Sequence, residues 1–185
     1  MKRKTRALSL VVLAWMLASL SILSAQEKHA LPAYERQRIS VGYGLARAQD
    51  EFSLNANLTS PWVLGNHAAI RLWALGLFHT GSWQPYYGFR FGLIGGSLME
   101  TAAIRLYGEG GVLMVIPSSS FDSDTTIWGG YGLFGFEFFA YRPGHGLAFY
   151  IELGSNGVDA RAEKEAGSPM YLNGFETSAG LRYYF

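Results

Sequence analysis

The sequence predicts an all-β fold: an eight-stranded antiparallel transmembrane β-barrel preceded by a cleavable signal peptide. Three observations carry that expectation. From residue 38 to the C-terminus, apolar and polar residues alternate with a period of two. The charged residues inside the alternating segments fall on the parity opposite the apolar one. The composition also suits a wall that meets lipid: 15% aromatic, 23 glycines in 185 residues and 16% charged, against a charged share of ~25% in soluble domains. The aromatic content excludes a disordered chain. Zero cysteines exclude a disulfide scaffold, a Cys-ligated zinc site and a thiol enzyme.

The N-terminus reads as an export signal. Residues 1–6 hold Lys2, Arg3, Lys4 and Arg6; Ala7 to Leu23 is an uncharged apolar run. Leu23-Ser24-Ala25 ends the run, and Gln26, Glu27 and Lys28 restore polarity. This is the pattern of a signal peptide over 1–25, cleaved after Ala25. An uncleaved anchor is the alternative, because the run approaches the ~18–20 residues that a span requires. Residues 26–37 form a short polar lead, and 38–185 form the barrel. Without the leader's four cations, 11 Lys and Arg face 14 acidic residues, a net of −3. That leaves no basic surface suited to nucleic acid.

Eight strands follow in order. Arg38–Ala46 places Ile39, Val41, Tyr43 and Leu45 opposite Ser40, Gly42 and Gly44. Phe52–Leu58 places Phe52, Leu54, Ala56 and Leu58 opposite Ser53, Asn55 and Asn57. Ala68–Phe78 places Ile70, Leu72, Ala74 and Phe78 opposite Arg71 and Trp73, and Tyr86–Leu93 places Tyr87, Phe89, Phe91 and Leu93 opposite Gly88, Arg90 and Gly92. Ala103–Ile116 places Ile104, Leu106, Val112, Met114 and Ile116 opposite Arg105, Tyr107 and Glu109. Ile127–Ala140 places Phe134, Phe136 and Phe138 opposite Gly135 and Glu137. Leu147–Gly154 places Leu147, Phe149, Ile151 and Leu153 opposite Ala148, Tyr150 and Glu152. Gly174–Phe185 places Phe175, Ala179, Leu181, Tyr183 and Phe185 opposite Glu176, Ser178, Gly180 and Arg182.

The charges decide what this alternation means. Arg71, Arg90, Arg105, Glu109, Glu137, Glu152, Glu176 and Arg182 share the parity opposite the apolar face. A soluble sandwich is the competing reading, with the apolar face as core and the charges in water. Large aromatic faces set against glycine-rich ones argue for the barrel, since a solvent face has no need of glycine and a narrow lumen does. A lipid-facing Arg near the midplane costs ~2–4 kcal/mol, which is a reason for every charge to choose the lumen.

The chain ends Ser178-Ala-Gly180-Leu-Arg-Tyr183-Tyr-Phe185. Gly180, Tyr183 and Phe185 fall on a pattern that resembles the C-terminal signal of bacterial outer-membrane barrels. By that resemblance the mature chain is similar to the small eight-stranded class of OmpX and the membrane domain of OmpA. The class implies outer-membrane lipids as surroundings, the barrel-insertion machinery as a partner of the last strand, and location in the outer membrane of a double-membrane bacterium. An even strand count then puts both mature termini in the periplasm. Residues 47–51, 79–85, 117–126 and 155–173 become extracellular connections, and 59–67, 95–101 and 141–146 periplasmic turns.

Eight strands close to an interior just wide enough for side chains, so an open pore is not expected. The four lumen arginines and four lumen glutamates balance, and read as a structural ion-pair network. Trp73, Leu75, Leu77, Leu113, Val115 and Leu133 share the inward parity at the opposite half of their strands, where they make either a dry upper core or an acyl-chain pocket. Catalytic signals are weak and no cofactor is expected. His29, His67, His79 and His145 are scattered without metal-site spacing. Ser155-Asn156 matches part of the His-any-Ser-Asn motif of barrel lipid A deacylases, but Leu153 stands where their histidine would be. Without a base the serine is not activated, and Ser-Asn-Gly reads more simply as a turn. Asp122 and Asp124 lack the glycine and glutamate of a calcium loop. That connection and the mixed-charge segment Asp159, Arg161, Glu163, Lys164, Glu165 read as solvated surface. The expected function is therefore structural or surface-interacting, through loops whose extracellular partner the sequence does not name. The alternative is a lipid-handling barrel, as an acyl-chain binder or a lipid A-modifying enzyme.

Overall fold

The computed structural model describes residues 38–49, 51–80, 82–99, 102–140 and 146–185. The expected signal peptide and the lead to residue 37 lie outside the described residues, as do His145 and most of the 141–146 turn. The strands are β1 (Ser40–Ala48), β2 (Glu51–Thr59), β3 (Ala68–Phe78), β4 (Pro85–Met99), β5 (Ile104–Ile116), β6 (Ile127–Phe139), β7 (Leu147–Val158) and β8 (Gly174–Tyr184). Each pairs antiparallel with its chain neighbours. β8 then returns to β1, Ser40 opposite Tyr184 and Ala48 opposite Glu176, so the sheet closes. Closure leaves no unpaired edge, the condition for a sheet that spans hydrocarbon. The chain ends of the barrel and the β2–β3, β4–β5 and β6–β7 connections lie at one end, here the base. The other four connections lie at the mouth.

The faces are those of a barrel in lipid and not of a sandwich. Tyr43, Trp128 and Phe175 are 64%, 65% and 62% exposed on the outer wall, whereas Arg71, Glu137 and Arg182 are 0% exposed inside. Burying the charged parity and exposing the aromatic one is the inverse of a water-soluble core. Among the described strand residues, Arg47 alone brings a charge to the outer face. It stands at the mouth end of β1, with Nε donating to the Gln49 carbonyl at 2.9 Å. There a charge costs only ~0–1 kcal/mol.

Most strand boundaries fall within two residues of the sequence expectation, and at three places the difference has a local reason. Arg47 and Glu51 belong to strands, because Gln49 takes the left-handed conformation (φ 51°) and turns the chain tightly. β4 runs on from Leu93 to Met99, with Gly96 opposite Tyr107. Gly95-Gly96 reads as a turn, yet a Cβ on Gly96 would meet the Tyr107 Cβ at 2.7 Å, so the glycine serves close approach across the strands. β7 runs on to Val158: Asn156 lies opposite Tyr131 and Gly157 opposite Gly130, where Ser-Asn-Gly predicts a turn. Asn156 points inward and is tied to two lumen charges, which holds the segment in the sheet.

Candidate functional site

The lumen is built from side chains of all eight strands. From the base, Arg105 Nη1 donates to Glu137 Oε2 at 2.8 Å. Glu137 Oε1 accepts from Arg182 Nη1 at 2.8 Å and from the Tyr184 hydroxyl at 2.7 Å. Arg182 Nη2 lies 3.5 Å from Glu152 Oε1. That oxygen accepts from Arg71 Nη1 at 3.0 Å and from the Tyr107 hydroxyl at 2.5 Å, and the Ser178 hydroxyl donates to Glu152 Oε2 at 2.7 Å. Arg71 Nη1 also donates to Glu109 Oε2 at 2.7 Å. Glu109 Oε1 accepts from Trp73 Nε1 at 2.8 Å and from the Tyr131 hydroxyl at 2.5 Å. Six charges thus alternate in sign along one chain of contacts. Arg90 and Glu176 form a separate bidentate pair, bridged by Asn156, which accepts from Arg90 at 2.7 Å and donates to Glu176 at 2.7 Å.

Every carboxylate of this arrangement is paired and further hydrogen-bonded, as burying charge requires, while one nitrogen each of Arg71, Arg90, Arg105 and Arg182 is buried without a hydrogen-bond partner. The arginines also lie against rings, Arg182 over Tyr150 at 4.6 Å, Arg90 over Tyr131 at 4.7 Å and Arg105 over Trp62 at 4.2 Å. Trp62 reaches the lumen from the β2–β3 connection at the base and was not singled out by periodicity. The rings need room, and glycine provides it. A Cβ on Gly180 would come within 2.6 Å of the Tyr150 ring, and one on Gly135 within 2.6 Å of the Tyr107 ring. The space left beside Arg90, Asn156 and Glu176 is about 10 Å³, room for about one water.

Above this polar section lies a dry one. Trp73, Leu75, Leu77, Leu113 and Val115 are buried and packed in one cluster, with Leu133 partly buried against it. The candidate pocket residues therefore do come together, but the space above them is taken. Phe121 from the β5–β6 connection and Ala160, Ala162, Tyr171 and Leu172 from the β7–β8 connection are buried in the same cluster. Both connections, expected as solvated surface, instead fold over the mouth. Isolated apolar residues in polar loops carry no periodic signal. They are drawn in because the apolar upper lumen must be covered from water. Asp122, buried beside Phe121, accepts from the Tyr171 hydroxyl at 2.6 Å; burial and then Asp122 push that phenol above its ordinary pKa.

The remaining candidates separate. His79 is buried where β3 ends, its Nδ1 2.7 Å from Glu51 Oε1, and Glu51 Oε2 accepts from the Tyr86 hydroxyl at 2.9 Å. His67 at the base has Nδ1 3.0 Å from the Gly96 carbonyl. Among the described residues no cluster of three or more His, Asp or Glu could hold a metal ion. Ser155 is exposed on the outer wall, on the face opposite its neighbour Asn156. Glu51 was legible in the sequence: it shares the parity of Ser53, Asn55 and Asn57, and extending β2 by one residue would have placed it inside.

Eight antiparallel strands closed around a packed, charged lumen, with an apolar outer wall, define the architecture of the small eight-stranded outer-membrane barrels. No protein-family model and no curated protein matches the chain. Among solved structures, the chain is similar to the N-terminal β-barrel domain of Pseudomonas aeruginosa OprF, with a TM-score of 0.58 at 9% identity, over 81% of this chain and 98% of that one. At that identity the likeness is one of fold.

Proposed function

We propose that this chain is an outer-membrane β-barrel with a structural or surface-interaction role, carried by its mouth connections, and that it is not an open pore. The observation that supports this reading is the filled lumen: an ion-pair chain below, and Phe121, Tyr171 and Leu172 packed on Leu77, Leu113 and Val115 above. In this reading the outer wall is solvated by membrane lipid, the base faces the periplasm, and the insertion machinery engages β8. The mouth connections face the exterior. The test is reconstitution of the mature protein into planar bilayers. We expect a folded species that migrates differently before and after heating in detergent gels, and no conductance steps above baseline. A stable open channel would overturn the reading.

The role assigned here contains no catalytic step. Ser155 lies outside the lumen with Leu153, not histidine, two residues before it. Lipid A from cells with and without the protein is expected to give identical mass spectra, and Ser155→Ala is expected to change nothing. A deacylated or re-acylated species that depends on the protein would establish the lipid-modifying alternative instead.

A further inference from the structure

We infer that the β5–β6 and β7–β8 connections form a single lid, and that His79 is the clasp fastening it to the barrel mouth. The inference deepens the surface reading above and rests on it for the role of the lid, though not for its mechanics. The β7–β8 connection is itself a small ribbon: Arg161 bridges Met170, the Ala162 N–H donates to the Pro169 carbonyl at 2.9 Å, and the Tyr171 N–H donates to the Ala160 carbonyl at 3.1 Å. Four links weld this ribbon to the β5–β6 connection, one of them from the Ser123 hydroxyl to the Glu163 carboxylate. The Lys164 N–H donates to the Phe121 carbonyl at 3.0 Å, Lys164 Nζ to the Ser119 carbonyl at 2.6 Å, and the Tyr171 hydroxyl to Asp122 at 2.6 Å.

Apolar packing holds the welded unit down, but such packing is non-directional and does not fix where the lid sits. His79 does. Its Nδ1 is hydrogen-bonded to Glu51 on β2 at 2.7 Å, and its Nε2 approaches Glu165 Oε1 on the lid to 3.2 Å without hydrogen-bond geometry. Its ring stacks on Phe121 at 4.6 Å and meets Tyr171 edge-on at 5.6 Å. One buried side chain thus touches the rim and both lid segments. The rim side is anchored a second time, because the Tyr86 hydroxyl also holds Glu51. A loop surface built this way is presented to a partner already ordered, so binding costs less conformational entropy than it would from free loops.

The experiment is amide hydrogen exchange, read residue by residue on the refolded full barrel in detergent. His79→Phe keeps a ring against Phe121 and removes both nitrogens. Glu165→Ala removes only the lid-side carboxylate and leaves the Glu51 contact in place, so it probes the clasp even if the first variant fails to fold. His79→Phe is expected to speed exchange at Ala162, Lys164 and Tyr171 by a common factor of about ten or more, the factor associated with losing the hydrogen bond to the Glu51 carboxylate. Glu165→Ala, which removes a partly exposed charge contact, is expected to speed the same three amides by a smaller common factor of about two to five. The Leu113 amide in β5 is expected to keep its rate in Glu165→Ala. Unchanged lid exchange, unrelated factors at the three amides, or an equal rise at Leu113 in Glu165→Ala would overturn the inference. A conducting barrel would defeat the surface reading and leave this exchange pattern standing, so the two failures are distinguishable.

Discussion

Replacing Glu137 by leucine is expected to destabilise the barrel by about 3–5 kcal/mol, the cost of breaking a buried ion pair by removing one partner. Glu137 is the residue to choose because its carboxylate serves two arginines. Arg105 reaches one oxygen at 2.8 Å, and Arg182 reaches the other at 2.8 Å beside the Tyr184 hydroxyl. Leucine fills much of the volume but leaves two buried guanidinium groups without the carboxylate that both contact. Arg182 retains Asn57 at 3.2 Å and a 3.5 Å approach to Glu152, whereas among the described residues Arg105 keeps the Tyr184 hydroxyl and its neighbouring rings. The reference variant is Arg161→Leu. Its partner Asp159 lies 3.1 Å away in an exposed pair on the lid, worth at most about 1 kcal/mol. Urea unfolding of both variants, refolded in detergent, separates them. Similar small shifts in midpoint would mean that the strand charges are solvated and the lumen wet.

The parity of the charges made the barrel legible, and it did so through energetics: eight charged side chains on the face opposite the aromatics have no low-cost place in lipid. Parity also located the lumen half of the candidate residues, since alternation along a strand leaves only two choices of face. It could not pair them. That Arg71 lies between Glu109 of β5 and Glu152 of β7 depends on how far the strands tilt and stagger around the closed sheet, and no local pattern in the sequence encodes this. Turn chemistry misled at Gly95-Gly96 and Ser155-Asn156-Gly157. In both places small or turn-prone residues were chosen for close packing or for an inward hydrogen bond, and the sheet runs through them. The lid was hidden for a different reason. Phe121 and Tyr171 are single aromatics in polar surroundings, and what buries them is the apolar ceiling formed by Leu77, Leu113 and Val115 on other strands.

Changing Phe185 to aspartate is expected to abolish accumulation of the folded barrel in cells while leaving its refolding in detergent nearly intact. The three residues of the terminal pattern have separable physical roles. Gly180 faces Gly44 across the β1–β8 seam and lies under Tyr150, so any side chain there collides with the lumen packing. Tyr183 and Phe185 point outward, their rings 5.0 Å apart, and Phe185 remains 62% exposed. The Phe185 side chain therefore adds little to the finished barrel. Its backbone N–H, which donates to the Ile39 carbonyl at 3.1 Å, survives the substitution. An acidic side chain at the edge of the apolar band costs about 1 kcal/mol or less, too little to unfold a closed eight-stranded sheet. A severe loss in cells must then come from a step before folding is complete, which in the proposed reading is engagement of β8 by the insertion machinery. Gly180→Val is the contrast, expected to fail in detergent as well because its defect lies in the packed state. Heat-shift gels of envelope fractions and of purified, refolded protein read the two situations side by side. If Phe185→Asp accumulates normally in cells, the terminal aromatic is not an assembly signal; if it also fails to refold in detergent, its role is structural.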